Sequence, residues 1–151
     1  MSIGDGASYA PTGEQRSVVS PGEFNFAAAF LDHGHIYGQA NGLLEAGGTL
    51  CSVFDPDEAR VRAFCEKFPQ VRVASSFDEI LNDQSLHLVT SAAIPDQRAG
   101  VGRQVIKAGK DYFTDKSPFT TLDQLEQIKS LVKDTGRKYL VYYAERVHNE
   151  A

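Results

Sequence analysis

The chain has 151 residues, room for one domain with a real core but not for two of ordinary size. Its formal net charge of −5 gives no electrostatic case for nucleic acid or an anionic membrane as the main partner. No apolar stretch approaches the about 20 residues that cross a bilayer, no basic-then-apolar leader is visible, and Cys51 and Cys65 stand in apolar runs, so the expected setting is cytoplasmic with reduced thiols.

Residues Met1 to about Gly22 are rich in Gly, Ser, Pro and Ala without apolar period and read as a flexible leader, leaving 23–151 as the domain. Phe24 to Phe30 is a short apolar run suited to a buried strand. A turn follows at Asp32-His33-Gly34-His35. Ile36, Ala40, Leu43, Leu44 and Gly47 then recur at helical spacing, and Gly47-Gly48 closes that helix. Thr49–Phe54 is a second strand. Asp55-Pro56 reads as an N-cap with proline in the first turn, opening a helix whose stripe is Val61, Phe64, Cys65 and Phe68.

Val71–Ala74 is the third strand. Ser76-Phe-Asp-Glu79 is a capping box for a short helix through Leu81. His87–Thr90 is the fourth strand, and a loop through Pro95 leads to a helix carrying Val101, Val105 and Ala108. Asp111–Thr114 is the fifth strand. A second capping box, Thr121-Leu-Asp-Gln124, opens a helix with Leu122, Leu125, Ile128 and Val132 on its apolar face. Gly136 stops it, and Lys138–Tyr143 is the sixth strand.

Strand and helix alternate throughout without a hairpin signal. Each return must therefore carry a crossover helix, which predicts an α/β domain with a Rossmann-type, doubly wound parallel sheet of about six strands. In such sheets ligands sit beyond the carboxyl ends of the strands. That places Lys116, after the fifth strand, where it can face a substrate or cofactor; the plainer reading is a surface lysine beside a turn. Gly34 opens the first strand-to-helix turn, where backbone and helix N-terminus can cradle pyrophosphate, but the full Gly-x-Gly-x-x-Gly pattern is not present. Asp55 closes the second strand, twenty-one positions after Gly34, where an acid binds adenosine ribose hydroxyls and favours NAD over NADP. Arg60 and Arg62 leave NADP open. Small residues from Ser91 to Pro95 would let a nicotinamide lie against the backbone. His33 and His35 make a conceivable metal pair, but no third ligand stands at useful spacing, so no metal is expected; His87 and His148 read as structural.

Ala108-Gly-Lys-Asp-Tyr-Phe-Thr-Asp-Lys-Ser-Pro-Phe119, with Phe54-Asp-Pro-Asp57, Ser76-Phe-Asp-Glu79 and Ala93-Ile-Pro-Asp96, resembles the N-terminal domain of the glucose–fructose oxidoreductase / inositol dehydrogenase / MocA (Gfo/Idh/MocA) family. The resemblance runs from about Phe24 to Glu145. Asp115 stands where the family signature has glutamate, and Ser117 where it has proline. The resemblance implies a dehydrogenase domain using NAD or NADP on a sugar or polyol. It implies that His33, Gly34, His35 and Ile36 meet the pyrophosphate and Asp55 the ribose. Ala93, Ile94 and Pro95 would meet the cofactor edge, and Asp115 and Lys116 its redox end, with Lys116 catalytic. It further implies that the C-terminal substrate domain, with the oligomer interface, is absent, so that the chain is weak or inactive alone. Two other readings stay open: a non-catalytic cofactor-sensing or interaction module on the same sheet, and a phospho-acceptor receiver domain.

Overall fold

Phe26 and Ala28 belong to one core and Ala27 and Ala29 to the other, and all four are fully buried. A strand enclosed on both faces is a central strand of a covered sheet. The computed structural model describes residues 17–143. The leader's residues 1–16, and the C-terminal segment with His148, lie outside the described residues. Of the expected leader, residues 17–22 are described: Val18 N–H donates to the Ala46 carbonyl (2.9 Å) and Gly22 N–H to Thr49 Oγ1 (2.9 Å).

The elements run β1 (Asn25–Ala29), α1 (His35–Glu45), β2 (Thr49–Phe54), α2 (Glu58–Lys67), β3 (Arg72–Val73), α3 (Phe77–Asn82), β4 (Leu88–Ser91), α4 (Arg98–Lys107), β5 (Asp111–Asp115), α5 (Leu122–Thr135) and β6 (Tyr139–Tyr142). All strand pairs are parallel, in the order β3-β2-β1-β4-β5-β6. This is the doubly wound order whose direction reverses between β1 and β4, and it differs from the flavodoxin-like order of receiver domains.

The two cores lie on opposite faces of the sheet. Ile36 and Ala40 of α1 with Val61 and Phe64 of α2 cover one face; Ile80 of α3 with Val101, Val105 and Ile106 of α4 cover the other. Full burial of a side chain such as Phe64 contributes about 1.5–3 kcal/mol. Both capping sequences cap their helices, though the Glu79 and Gln124 side chains accept from Ser75 N–H and Thr120 N–H, one residue before each cap. Ser76 and Thr121 accept from the N–H of Glu79 and Gln124. Gly136 ends α5 at φ +68.

Two local expectations are corrected. The N-cap of α2 is Asp57, whose side chain accepts from Ala59 N–H, because the Asp55 carboxylate is engaged elsewhere. The first strand stops at Ala29, since Phe30 turns to φ +57. The Ala-Gly-Lys piece is structural: Gly109 takes φ +79, and the buried Lys110 ammonium donates to the Asp83 carbonyl at 2.7 Å.

Candidate functional site

Every parallel strand delivers its carboxyl end to the same edge, so the loops after β1, β2, β4 and β5 share one rim. Asp55 and Lys116 both lie on it, separated by β1 and β4, a span of about 14 Å at ordinary strand spacing.

At β1, Phe30 bridges the neighbours. Its N–H donates to the Phe54 carbonyl (3.0 Å), and its own carbonyl accepts from Ala92 N–H (3.1 Å). A left-handed φ is costly for a bulky residue and is normally met by glycine. The ring meets Phe54 and Phe77 edge-on, which secures it there. Counting from Phe30, the three fingerprint positions hold Phe30, Asp32 and His35 rather than glycines. No sequence pattern reveals this, because the left-handed position carries an aromatic.

Gly34 needs glycine for neither conformation nor packing: its φ is −60, and a Cβ there would meet no heavy atom within 4 Å. It stands at the N-terminus of α1 with open space over its backbone. Gly38 makes room for Tyr142, whose hydroxyl would lie 2.8 Å from a Cβ. Ile36 is buried in the core, so only its backbone is available to a ligand.

The Asp55 side chain is fully enclosed. Oδ2 accepts from Leu31 N–H at 2.6 Å and Oδ1 from Asp57 N–H at 2.7 Å, tying the turn after β1 to the turn after β2. Arg60 lies 3.6 Å from it and pairs with Asp32 at 2.6 Å. Beside it opens a cleft of about 470 Å³ lined by Asp55, Glu58, Arg62, Val73, Ala74 and Ser75 among others, a size that suits a small ligand. The residues after β3 in this wall were not singled out from sequence.

At the other end, β5 delivers Asp115 into a buried position and Lys116 into an exposed one. Arg98, the first residue of α4, is the main residue that sequence reasoning missed. Its Nε donates to the Ala93 carbonyl (2.6 Å), and Nη1 donates to the Lys116 carbonyl and to that of Ser117 (3.1 Å). Nη2 lies 3.4 Å from Asp115 Oδ2. One guanidinium thus binds the loop after β4 to the turn that carries the lysine. The only clue in sequence is an arginine three residues past Pro95. The Lys116–Ser117 peptide is cis. Ile94 and Pro95 are exposed on the rim beyond Ala93.

His35 Nδ1 lies 2.9 Å from Asp115 Oδ1, and His33 Nδ1 3.4 Å from Oδ2. Folding therefore brings to the histidine pair a carboxylate eighty residues away, a third oxygen or nitrogen donor that spacing along the chain could not show. Burial and the neighbouring His35 lower the His33 pKa, against the opposing pull of Asp115. Of the ten residues singled out from sequence, His33, His35, Asp115 and Lys116 gather at one point. Asp55 stands apart at the β2 end.

The model of an oxidoreductase family, GFO_IDH_MocA, with an NAD-binding Rossmann fold, matches residues 25–143. The chain is 31% identical over 101 residues to "Uncharacterized oxidoreductase YdgJ" of Escherichia coli (strain K12), covering 66% of this chain and 28% of that protein. It is 26% identical over 80 residues to a D-xylose dehydrogenase of Paenarthrobacter nicotinovorans, covering 53% and 21%. A solved structure from Erwinia carotovora atroseptica SCRI1043 is 41% identical with a TM-score of 0.77, over 80% of this chain and 36% of that one. GenD2 from gentamicin A biosynthesis, solved in complex with NAD, is 20% identical with a TM-score of 0.74, over 87% and 37%, a likeness of fold alone. The chain thus spans under three tenths of either curated relative.

Proposed function

The chain belongs to the GFO_IDH_MocA family of oxidoreductases with an NAD-binding Rossmann fold, and from that premise we propose that it holds a nicotinamide dinucleotide along the rim from β2 to β5, in the service of oxidising a sugar or polyol. The observation that carries this reading is the placement of Asp55 and Lys116 on one rim, at either side of the switch point between β1 and β4.

The residues present fit such a group. The cleft beside Asp55 receives the adenosine end, with Asp55 as its wall and as the acceptor that fixes the turn. The open backbone of Gly34 and the positive end of α1 receive the diphosphate. The cleft's charged lining is Asp55, Glu58 and Arg62, and Arg62 is drawn to Glu58 at 3.5 Å, so NAD is favoured over NADP. Ala93, Ile94 and Pro95 form the ledge beneath the redox end.

The dinucleotide supplies the hydride acceptor when bound. Lys116, on a backbone pinned by Arg98, accepts the hydrogen bond of the substrate hydroxyl through its neutral amine and takes up that proton, becoming an ammonium, as the C–H bond breaks. The chain spans 36% of the Erwinia structure, and the sugar or polyol and any further domain that shapes its pocket are part of this proposal. Free thiols at Cys51 and Cys65 fit a cytoplasmic setting.

One observation favours a second reading, a non-catalytic cofactor-sensing module. Asp32 places a carboxylate at a fingerprint position where an anion would lie, paired among the described residues with Arg60. The two readings separate in an assay of NAD reduction over a panel of sugars and polyols. Turnover abolished by Lys116→Ala supports the oxidoreductase; no turnover with dinucleotide bound supports the module; turnover indifferent to that substitution contradicts both the module and the role given to Lys116. The dinucleotide seat is tested by amide NMR during NADH titration. Shifts should concentrate at Gly34, Ala93 and Ile94 and the Asp55 cleft, and shifts confined to other surfaces contradict it.

A further inference from the structure

The geometry points to a divalent transition-metal site formed by His33, His35 and Asp115, of the zinc-binding class, beside Lys116. The three side chains place one ligand atom each within 4.8 Å of one another. A tetrahedral ion with bonds of about 2.0–2.1 Å holds its donors about 3.3 Å apart. The contacts of 3.4 Å from His33 Nδ1 and 2.9 Å from His35 Nδ1 to the two Asp115 oxygens are already near that value.

His35 N–H donates to His33 Nδ1 at 3.2 Å, which engages that nitrogen's single lone pair, so an ion bound through Nδ1 takes the place of this hydrogen bond.

The carboxylate is also held as a ligating carboxylate should be. Lys116 N–H donates to Oδ1 at 2.8 Å and the Arg98 guanidinium lies 3.4 Å from Oδ2, partners that orient it from behind. His33 is 54% exposed, which leaves a coordination position open to solvent in the manner of catalytic rather than closed structural sites. Two imidazoles with one carboxylate suit zinc and its neighbours over magnesium or calcium, which prefer all-oxygen sets. What such an ion does follows from the reading above: beside Lys116 it would draw electron density from a ligand oxygen. Its binding does not depend on that reading.

The test uses the whole chain without nucleotide, so that failure here and failure of the dinucleotide seat are separate results. Zinc chloride is titrated calorimetrically, and cobalt chloride is followed by its visible absorption. The expectation is one equivalent bound, with the absorption of a low-coordinate cobalt ion, and affinity reduced by at least about tenfold in His33→Ala and in His35→Ala. His87→Ala, at an imidazole hydrogen-bonded to Asn25 N–H, should leave binding unchanged. Asp115→Asn is read only if its circular dichroism is native, and the exposed His33 keeps the test sound if it is not. No binding by the folded wild type, or binding that survives both His33→Ala and His35→Ala, overturns the site.

Discussion

Arg98 Nη2 stands 3.4 Å from Asp115 Oδ2, with the two side chains 4% and 2% exposed. A buried pair of this kind is a poor source of net stability, but it is costly to break by halves. The same guanidinium satisfies the carbonyls of Ala93, Lys116 and Ser117. Arg98→Met should therefore destabilise the fold by about 3–5 kcal/mol in urea unfolding. Arg98→Met with Asp115→Asn should recover part of that loss, because the stranded charge is gone. A loss below about 1 kcal/mol in the single variant would contradict the clamp.

Lys116 has the opposite profile. Exposed, and with its ammonium in no hydrogen bond or ion pair among the described residues, it should tolerate Lys116→Ala within about 0.5 kcal/mol of wild-type stability. Where turnover is measurable, the same change should lower kcat by about 10²–10⁴. Lys116→Ala that unfolds the chain, or turns over normally, contradicts its placement.

The parts of this arrangement that rest on local chemistry were legible in the sequence. The Ser76 and Thr121 caps, the left-handed Gly136, the alternation that dictates crossovers and the rim position of Lys116 follow from neighbours in the chain. What was hidden depends on distant partners. Asp55 reads as a cap for the helix after it. Only the fold shows its carboxylate bound to Leu31 N–H, twenty-four residues earlier. Arg98 looks like a surface charge, and nothing pairs it with Asp115, until α4 and β5 are packed together. Phe30 looks like the last residue of a strand, because nothing in its identity announces φ +57.

Glycines separate ligand space from packing space. Gly34→Ala should change stability by no more than about 1 kcal/mol, since the backbone is helical and the space open, yet weaken dinucleotide binding. Gly102→Ala pushes a Cβ to 2.6 Å from the Tyr139 ring and 2.7 Å from that of Tyr112, and should cost about 1–3 kcal/mol. Thermal melts and NADH titrations of both variants check this; equal effects on both quantities would contradict the distinction.

Two groups contribute to the pH limits of stability. The Ser75 hydroxyl and N–H, with Arg72, lower the Glu79 pKa from 4.5 to about 2. Its contribution is present above pH 4.5 and lost as pH falls toward about 2. Burial pushes the Tyr112 phenol up to about 12, so the unfolded chain ionises first, and stability falls as pH rises from about 10 to about 12. Glu79→Gln should flatten the acid limb and Tyr112→Phe the alkaline limb of urea stability measured against pH. Unchanged limbs would contradict these assignments.

Calorimetric titration of the folded chain with NADH tests the central claim most directly. The account predicts saturable one-to-one binding with a Kd no weaker than on the order of 1 mM, about −4 kcal/mol, weakened at least about tenfold by Gly34→Ala. A folded chain that shows no saturable heat at millimolar NADH, or binds it equally well after Gly34→Ala, would contradict a dinucleotide seat on this rim.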